Sequence, residues 1–150
     1  MVDIEVEFRR ILSALDAAAI EYAVVGGFAV AIWGAPRATT DIDLLVREED
    51  IDAILAVARA LQFVSHAAPR TFPDGMRLRR VTRLEGEEML TLDFLLVDEN
   101  LEAAWNSRVL IETDAGPVRV VSRDALLQMK VAAGRPQDVA DVARLSEMDR

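Results

Sequence analysis

The spacing of hydrophobic residues changes along the chain between a helical and a strand period, and this predicts an α/β (α+β) fold. An apolar stripe at helical spacing predicts a first helix, with Asp3 as its candidate cap; the stripe consists of Phe8, Ile11, Leu12, Leu15 and Ala19. We expect a buried strand at 22–25, a short helical segment at 28–33 and a second strand at 41–46. A helix should follow from 48 to 61, because its acidic first turn suits the helix dipole.

The second half of the chain predicts two hairpins and a helical tail. Strands at 77–83 and 89–97 are expected to be joined through 85–87, and strands at 109–112 and 118–121 through 114–117. A helix at 100–105 lies between them. Ser122 should cap a helix that Gly134 ends, and Pro136 should open a last helix that reaches Met148.

No linker-like or repeated stretch divides the 150 residues. We therefore expect one domain over 1–150, a mixed β-sheet flanked by helices. Its core should cover about 20–121, and its C-terminal helices about 122–148.

Two aspartates open the second predicted strand. Residues two apart point to the same face of a strand, so Asp41 and Asp43 should lie side by side while Ile42 and Leu44 face the core. Two carboxylates this close repel each other unless they share a proton or a cation. Oxygen ligands favour Mg²⁺ or Mn²⁺. Taken alone, the pair is also compatible with a plain surface feature.

Asp93 is the one charged residue in the apolar stretch 90–96. A charge in a strand that looks buried on both faces needs a partner or a metal ion. Two explanations therefore stand: a third metal ligand, or an ion pair with Arg77, Arg79 or Arg83 of the neighbouring strand.

Net charge is −9, which argues against broad, non-specific binding of nucleic acids but leaves room for a local basic surface. Arg77, Arg79 and Arg83 share one strand face, with Arg70 and Arg80 nearby. They form either a solvated outer face or a surface for phosphates.

The remaining composition excludes several kinds of site. The chain has no cysteine, hence no disulfide and no thiolate site, and its single histidine, His66, is expected in a loop. No apolar run reaches the length of a membrane span and no cationic leader is present. We expect a cytoplasmic protein with no membrane partner.

Two motifs carry a resemblance to a known superfamily. Gly26-Gly27 follows an apolar pair, and thirteen residues then separate Gly27 from Asp41-Ile42-Asp43. This resembles the signature of the polymerase-beta-like nucleotidyltransferase superfamily. The C-terminal part looks like the Lys … Arg-x-x-Asp-x-x-Asp tail of small prokaryotic nucleotidyltransferases, including the AbiEii-type toxins; the matching residues are Lys130, Arg135, Asp138 and Asp141.

The resemblance implies transfer of a nucleoside monophosphate from an NTP to an RNA, a protein or a small molecule, with Mg²⁺ or Mn²⁺. It implies that Asp41, Asp43 and Asp93 are the catalytic acids and hold the metal. Nucleotide binding is then expected from eight residues: Gly26, Gly27, Arg37, Thr39, Thr40, Lys130, Arg135 and Asp138.

Other interpretations remain open. Asp138 and Asp141 share a helix face, so they could pair with Lys130 and Arg135 instead of contacting substrate. The chain could be a catalytically silent nucleotide-binding module or an antitoxin, or an interaction protein whose acidic pair is decorative. A cognate toxin or antitoxin, or a second copy in a homodimer, is compatible with its size.

Overall fold

The computed structural model describes residues 2–36, 38–114 and 116–148. Within these ranges it contains six α-helices and one eight-stranded sheet. The helices are α1 Ile4–Ala17, α2 Gly26–Ile32, α3 Ile51–Ala60, α4 Glu102–Asn106, α5 Arg123–Ala133 and α6 Pro136–Glu147. The strands are β1 Ala23–Val25, β2 Asp41–Val46, β3 Ser65–His66, β4 Arg70–Thr71, β5 Arg77–Glu85, β6 Glu88–Leu96, β7 Val109–Thr113 and β8 Gly116–Val120.

The sheet is mixed, which confirms the predicted fold class. Its strand order is β3-β5-β6-β2-β1-β8-β7, and β4 pairs with the same edge of β5 as β3 does. The β2–β6 and β1–β8 pairs are parallel, and the other pairs are antiparallel. Because β2 and β6 run side by side in the same direction, Asp43 lies opposite Asp93.

The two faces of the sheet are covered by different helices. Ile42 and Leu44 are almost completely buried in the core, as predicted. Arg83 of β5 contacts Glu7 of α1 and the end of α3, so these two helices cover one face. Helix α5 lies over the opposite face, towards which Asp43 and Asp93 point, and α6 packs on α5.

Several predicted signals act at the helix ends. The Asp3 carboxylate accepts from the backbone N–H groups of Glu5 and Val6, and the Ser122 hydroxyl accepts from that of Ala125. Gly134 adopts φ +65° after α5, a conformation that glycine takes without strain.

One local prediction was wrong. His66 is exposed but belongs to β3, a two-residue strand on the edge of β5, because its backbone pairs with Val81. No helix of the described residues is long and apolar enough to cross a membrane.

Candidate active site

Asp43 and Asp93 open into a cavity of about 360 Å³ between the sheet and α5. The parallel register of β2 and β6 brings the two aspartates onto adjacent strands, and β5 lies beyond β6. The other walls come from the start of α2, from α5 and α6, and from the segment that joins β4 to β5. The lining residues are Val25, Gly26, Asp43, Arg70, Phe72, Met76, Leu78, Arg80, Asp93, Leu95, Leu126, Met129, Lys130, Ala133, Arg135 and Asp138.

Gly26 is required where the chain turns from β1 into α2. Its φ is +68°, which side-chain-bearing residues rarely adopt. A Cβ at this position would lie 2.9 Å from Cγ of Asp43 and nearer still to Oδ2. The glycine therefore allows the backbone to pass directly against the Asp43 carboxyl. Gly27, the next residue, is buried within α2.

The Asp43 carboxyl is held in surroundings that oppose its negative charge. Burial raises its pKa to about 7, and the carboxylates of Asp93 and Asp41 add to this, while Lys130 and Arg135 act in the opposite sense. Near neutral pH the carboxyl group is therefore partly protonated when no cation is bound. A cation bound beside Asp43 would stabilise the ionised form of its carboxyl group.

Asp93 is 5% exposed and forms a bidentate ion pair with Arg80. Nε of Arg80 lies 2.7 Å from Oδ1 of Asp93, and Nη2 lies 2.8 Å from Oδ2. An arginine partner was one of the two predicted explanations, but the residue is Arg80 instead of Arg77, Arg79 or Arg83. Each oxygen of Asp93 keeps a further lone pair for another ligand.

The other arginines of β5 lie away from the cavity. Leu78 and Arg80 face it, so Arg77 and Arg83, which are odd-numbered, face the opposite side of the sheet. Arg77 pairs with Glu48. Arg83 is 5% exposed and its guanidinium lies 2.8 Å from the Glu7 carboxylate. These residues hold α1 and neighbouring elements to the sheet and do not form a surface for phosphates beside the acids.

Asp41 stands at the first position of β2 and does not line the cavity. Oγ1 of Thr40 is 3.3 Å from its Oδ1, and the Thr39 hydroxyl donates to its backbone oxygen at 3.2 Å. Thr39 borders a second cavity of about 650 Å³ between α1, α2 and the β7–β8 hairpin. Arg37 lies outside the described residues.

A buried ionic network joins α5 to α6. Nζ of Lys130 is 3.2 Å from Asp138 and 3.1 Å from Asp141, and both carboxylates are fully buried. Nε of Arg135 lies 2.6 Å from Oδ2 of Asp138, while its side chain is 74% exposed. Burial alone would raise the pKa of Asp138, but the bonds from Arg135 and Lys130 outweigh burial and lower it. Of the two alternatives left open by the sequence, the structure shows the pairing of these residues; a contact with substrate stays a prediction.

The three predicted metal ligands are only partly brought together. Asp43 and Asp93 share the cavity, and Asp41 contributes to the potential at Asp43 from the start of the strand. No group of three histidine or acidic side chains among residues 2–36, 38–114 and 116–148 is gathered closely enough to hold one ion.

Some cavity residues were not singled out from the sequence. Arg80 was noted only as a neighbour of other arginines, although a signal for it exists. Counting back from a two-residue turn at 86–87 places Arg80 opposite Asp93, as observed. No local sequence pattern predicts that Phe72 and Met76 line the cavity, because the strand before them, β4, has only two residues and shows no alternation.

Comparisons with known structures place this arrangement in a recognised fold. A protein of Thermotoga maritima described as a nucleotidyltransferase has a TM-score of 0.68 at 19% identity, over 100% of this chain and 97% of its own. ANT(2'')-Ia in complex with adenylyl-2''-tobramycin has a TM-score of 0.66 at 18% identity, over 97% and 88%. The lincosamide antibiotic adenylyltransferase LnuA, lincomycin-bound, has 0.67 at 13% identity, over 97% of both chains.

A family model confirms the superfamily resemblance from the sequence side. No curated protein matches the chain significantly. The model of the aminoglycoside-2''-adenylyltransferase family, however, matches residues 7–85, just over half of the chain. This segment includes Gly26, Asp41, Asp43 and Arg80. The chain belongs to the aminoglycoside-2''-adenylyltransferase family of nucleotidyltransferase enzymes.

Proposed function

We propose that residues 1–150 form a single domain that transfers a nucleoside monophosphate from an NTP to the hydroxyl of a small molecule. One observation carries this proposal. Asp43 and Asp93 lie side by side on parallel strands, against the backbone of Gly26, in a cavity that also holds Lys130 and Arg135.

The donor set fits a hard divalent cation, Mg²⁺ or Mn²⁺. All three acids offer oxygen atoms, Asp43 resists ionisation in the absence of a counter-charge, and Asp93 retains lone pairs beside Arg80. Asp43 and Asp93, which share the cavity, would hold the ion, and Asp41, the third predicted ligand, adds negative potential from the first position of β2. A bound ion would supply charge stabilisation at the transferred phosphoryl group.

The remaining residues bind and orient the nucleotide. The exposed guanidinium of Arg135 is available to a triphosphate in a bidentate manner, whereas Lys130 keeps the α5–α6 pair in place through its two buried aspartates. Asp138 orients Arg135. The backbone of Gly26 and Gly27 can approach a phosphate closely.

The loop before β2 has a positioning role in this proposal. Thr39 and Thr40 fix the first residue of the strand through their bonds to Asp41. A contact between Arg37 and the triphosphate stays a prediction.

The relatives favour a small-molecule acceptor over RNA or a protein. ANT(2'')-Ia was solved with adenylyl-2''-tobramycin and LnuA with lincomycin, and both share this fold. We take ATP as the first NTP to test and the cytoplasm as the site of action. A toxin–antitoxin role and a homodimer are secondary proposals.

The bidentate bond from Arg80 to Asp93 favours one alternative. If that pair stays closed when nucleotide binds, the protein would be a nucleotide-binding module without turnover.

The experiment is incubation with each α-labelled NTP and Mg²⁺, with small hydroxylated compounds, tRNA and candidate protein partners as acceptors. We expect label on a small acceptor and release of pyrophosphate. Asp114→Asn, on an exposed hairpin residue, is the matched control and should keep activity. Transfer that survives both Asp41→Ala and Asp43→Ala would contradict the assignment.

A further inference from the structure

Arg80 has more hydrogen-bond donors than its pair with Asp93 uses. The register places Asp43, Asp93 and Arg80 in one row across the neighbouring strands β2, β6 and β5. In the pair, Nε of Arg80 donates to Oδ1 of Asp93 and Nη2 donates to Oδ2. A guanidinium carries further N–H donors, and within the described part of the chain those on Nη1 and the second one on Nη2 bond to no protein group.

The uncommitted donors belong to a side chain that reaches the open space of the cavity. The side chain of Arg80 is 42% exposed, whereas that of Asp93 is only 7% exposed. Arg80 lines the same cavity as Gly26, Asp43 and Arg135, to which the proposed function assigns nucleotide and metal. A phosphate in this cavity can therefore accept from Nη1 without displacing the bonds to Asp93.

The charge of Arg80 acts in opposite directions on the two ligands of the site. Asp43 and Asp93, once ionised, attract a divalent ion and repel the phosphates of a nucleotide. The bonds to Asp93 raise the pKa of Arg80, and the charges of Asp41 and Asp43 act in the same sense, so the guanidinium stays charged. Arg80 therefore opposes an ion that arrives alone and favours a triphosphate.

A nucleotide relieves the conflict between Arg80 and a bound ion. An ion that shares Asp93 with Arg80 places two positive groups on one carboxylate, and a phosphate that contacts both of them offsets their repulsion. Lys130 is poorly suited to this role, because it is buried and pairs with Asp138 and Asp141.

We propose that Arg80 is a nucleotide-binding residue that selects the metal–nucleotide complex over the free metal ion. Its Nη donors bond to a phosphate oxygen of the nucleotide, and its charge weakens the binding of an ion that comes without nucleotide. This inference rests on the proposed function, because it assigns a role within the same nucleotide and metal site.

Two titrations of the full chain test this role without requiring turnover. Binding of Mn²⁺ alone is followed by the electron paramagnetic resonance signal of the free ion. Binding of α,β-methylene-ATP, which cannot release pyrophosphate, is measured by calorimetry in EDTA and again with saturating Mn²⁺. The variants are Arg80→Gln and Arg80→Lys. The matched control is Arg79→Gln, the same change at the preceding residue of β5, which faces the other side of the sheet.

We expect the two affinities of Arg80→Gln to change in opposite directions. Mn²⁺ alone should bind at least about threefold more tightly, and the metal-free analogue at least about threefold more weakly, the size of effect of one partly exposed charge pair. Arg80→Lys keeps the charge and should return both affinities towards wild type. Arg79→Gln should change neither affinity. A residue that only held the fold together would weaken both bindings or leave both unchanged.

A wild-type measurement covers the case in which Arg80→Gln does not fold, as judged by circular dichroism. The Nε–H signal of Arg80 is assigned in nitrogen-15 NMR spectra by comparison with Arg80→Lys. The metal-free analogue should shift this signal and leave that of Arg79 in place. An Arg80 signal that does not move when the analogue binds overturns the proposal.

The titrations separate this inference from the proposed function. Changes in the same direction in Arg80→Gln, or no change, overturn the inference, while analogue binding by the wild type leaves the proposed function standing. Opposite changes without label transfer to any acceptor support the role of Arg80 and remove the proposed transfer. Wild-type protein that binds no analogue, with or without Mn²⁺, removes both.

Discussion

Replacement of Asp43 by asparagine removes the charge that its surroundings oppose. Asparagine has nearly the same shape, so packing against Gly26 and the start of α2 should persist. Because burial and the neighbouring carboxylates raise the pKa of Asp43 to about 7, the wild-type protein is penalised wherever this group is ionised. Asp43→Asn should therefore stabilise the protein at alkaline pH in the absence of metal.

The magnitude follows from proton linkage. A rise in pKa from 3.8 to about 7 is roughly three units, or ~4 kcal/mol when the group is fully ionised in the folded state. The folded state holds this proton up to about pH 7 and the unfolded state loses it near pH 4, so wild-type stability falls as pH rises through that window. Between pH 5 and pH 8 the loss is roughly 2–3 kcal/mol. The Asp43 side chain is partly exposed to the cavity, and solvent screening reduces the expected change to about 1–2 kcal/mol.

The assay is urea denaturation of wild type and Asp43→Asn at pH 5, 6, 7 and 8 in EDTA. Groups with a lowered pKa, such as Glu7 and Asp138, are common to both proteins, so the difference in unfolding free energy isolates Asp43. Asp114→Asn is the matched control and should show no such trend. In a second series, Mg²⁺ at ten times its dissociation constant should stabilise wild type by about 1.4 kcal/mol and the variant by much less.

Two results would refute this reasoning. One is a stability difference between wild type and variant that is flat from pH 5 to pH 8. The other is equal stabilisation of both proteins by Mg²⁺, which would separate the ion from Asp43 altogether.

Three further substitutions test the site from other directions. In urea denaturation, Gly26→Ala should lower the free energy of unfolding by at least about 1 kcal/mol more than Gly86→Ala, because both glycines have positive φ but only Gly26 lies against Asp43. Gly86 has open space around it, so equal losses would show that the close approach to Asp43 is unimportant. Lys130→Met should lower the free energy of unfolding by about 3–5 kcal/mol, because it removes the ammonium group that pairs with two buried aspartates; a loss under about 1 kcal/mol would contradict the network. Arg135→Ala should lower the free energy of unfolding by less than about 1 kcal/mol, because the guanidinium is largely exposed. It should nevertheless weaken ATP binding in calorimetry, and an unchanged ATP affinity would remove Arg135 from the nucleotide site.

The sequence predicted those parts of the fold that depend on local patterns. The alternation of polar and apolar residues over 41–46 predicted both ends of β2 correctly, because a strand with one buried face must turn Ile42 and Leu44 towards the same side. Asp3 and Ser122 were recognised as caps because their side chains act on N–H groups two or three residues away. Asp93 was singled out because an apolar strand rarely tolerates a lone charge.

The parts that local patterns could not predict depend on which strands become neighbours. Asp93 lies beside Asp43 only because β2 and β6 pair in parallel, and nothing near either residue specifies that pairing. The identity of Arg80 as the partner of Asp93 follows from the register of the β5–β6 hairpin, whereas the period-two pattern drew attention to arginines on the opposite face. The burial of Lys130 likewise results from the docking of α6 on α5.

The walls of the cavity differ in how firmly the core of the protein fixes them. The residues proposed to handle phosphates and metal lie on α2, on the adjacent strands β2, β6 and β5, and on α5, all of which are fixed by the core. The segment 70–76 lines another wall of the cavity, and its only strand, β4, consists of two residues on the outer edge of β5. An edge segment of this kind can change sequence without disturbing the pairing of β2 with β6. A substitution in the segment 70–76 should therefore change the shape of the cavity and leave the pairing of β2 with β6 intact.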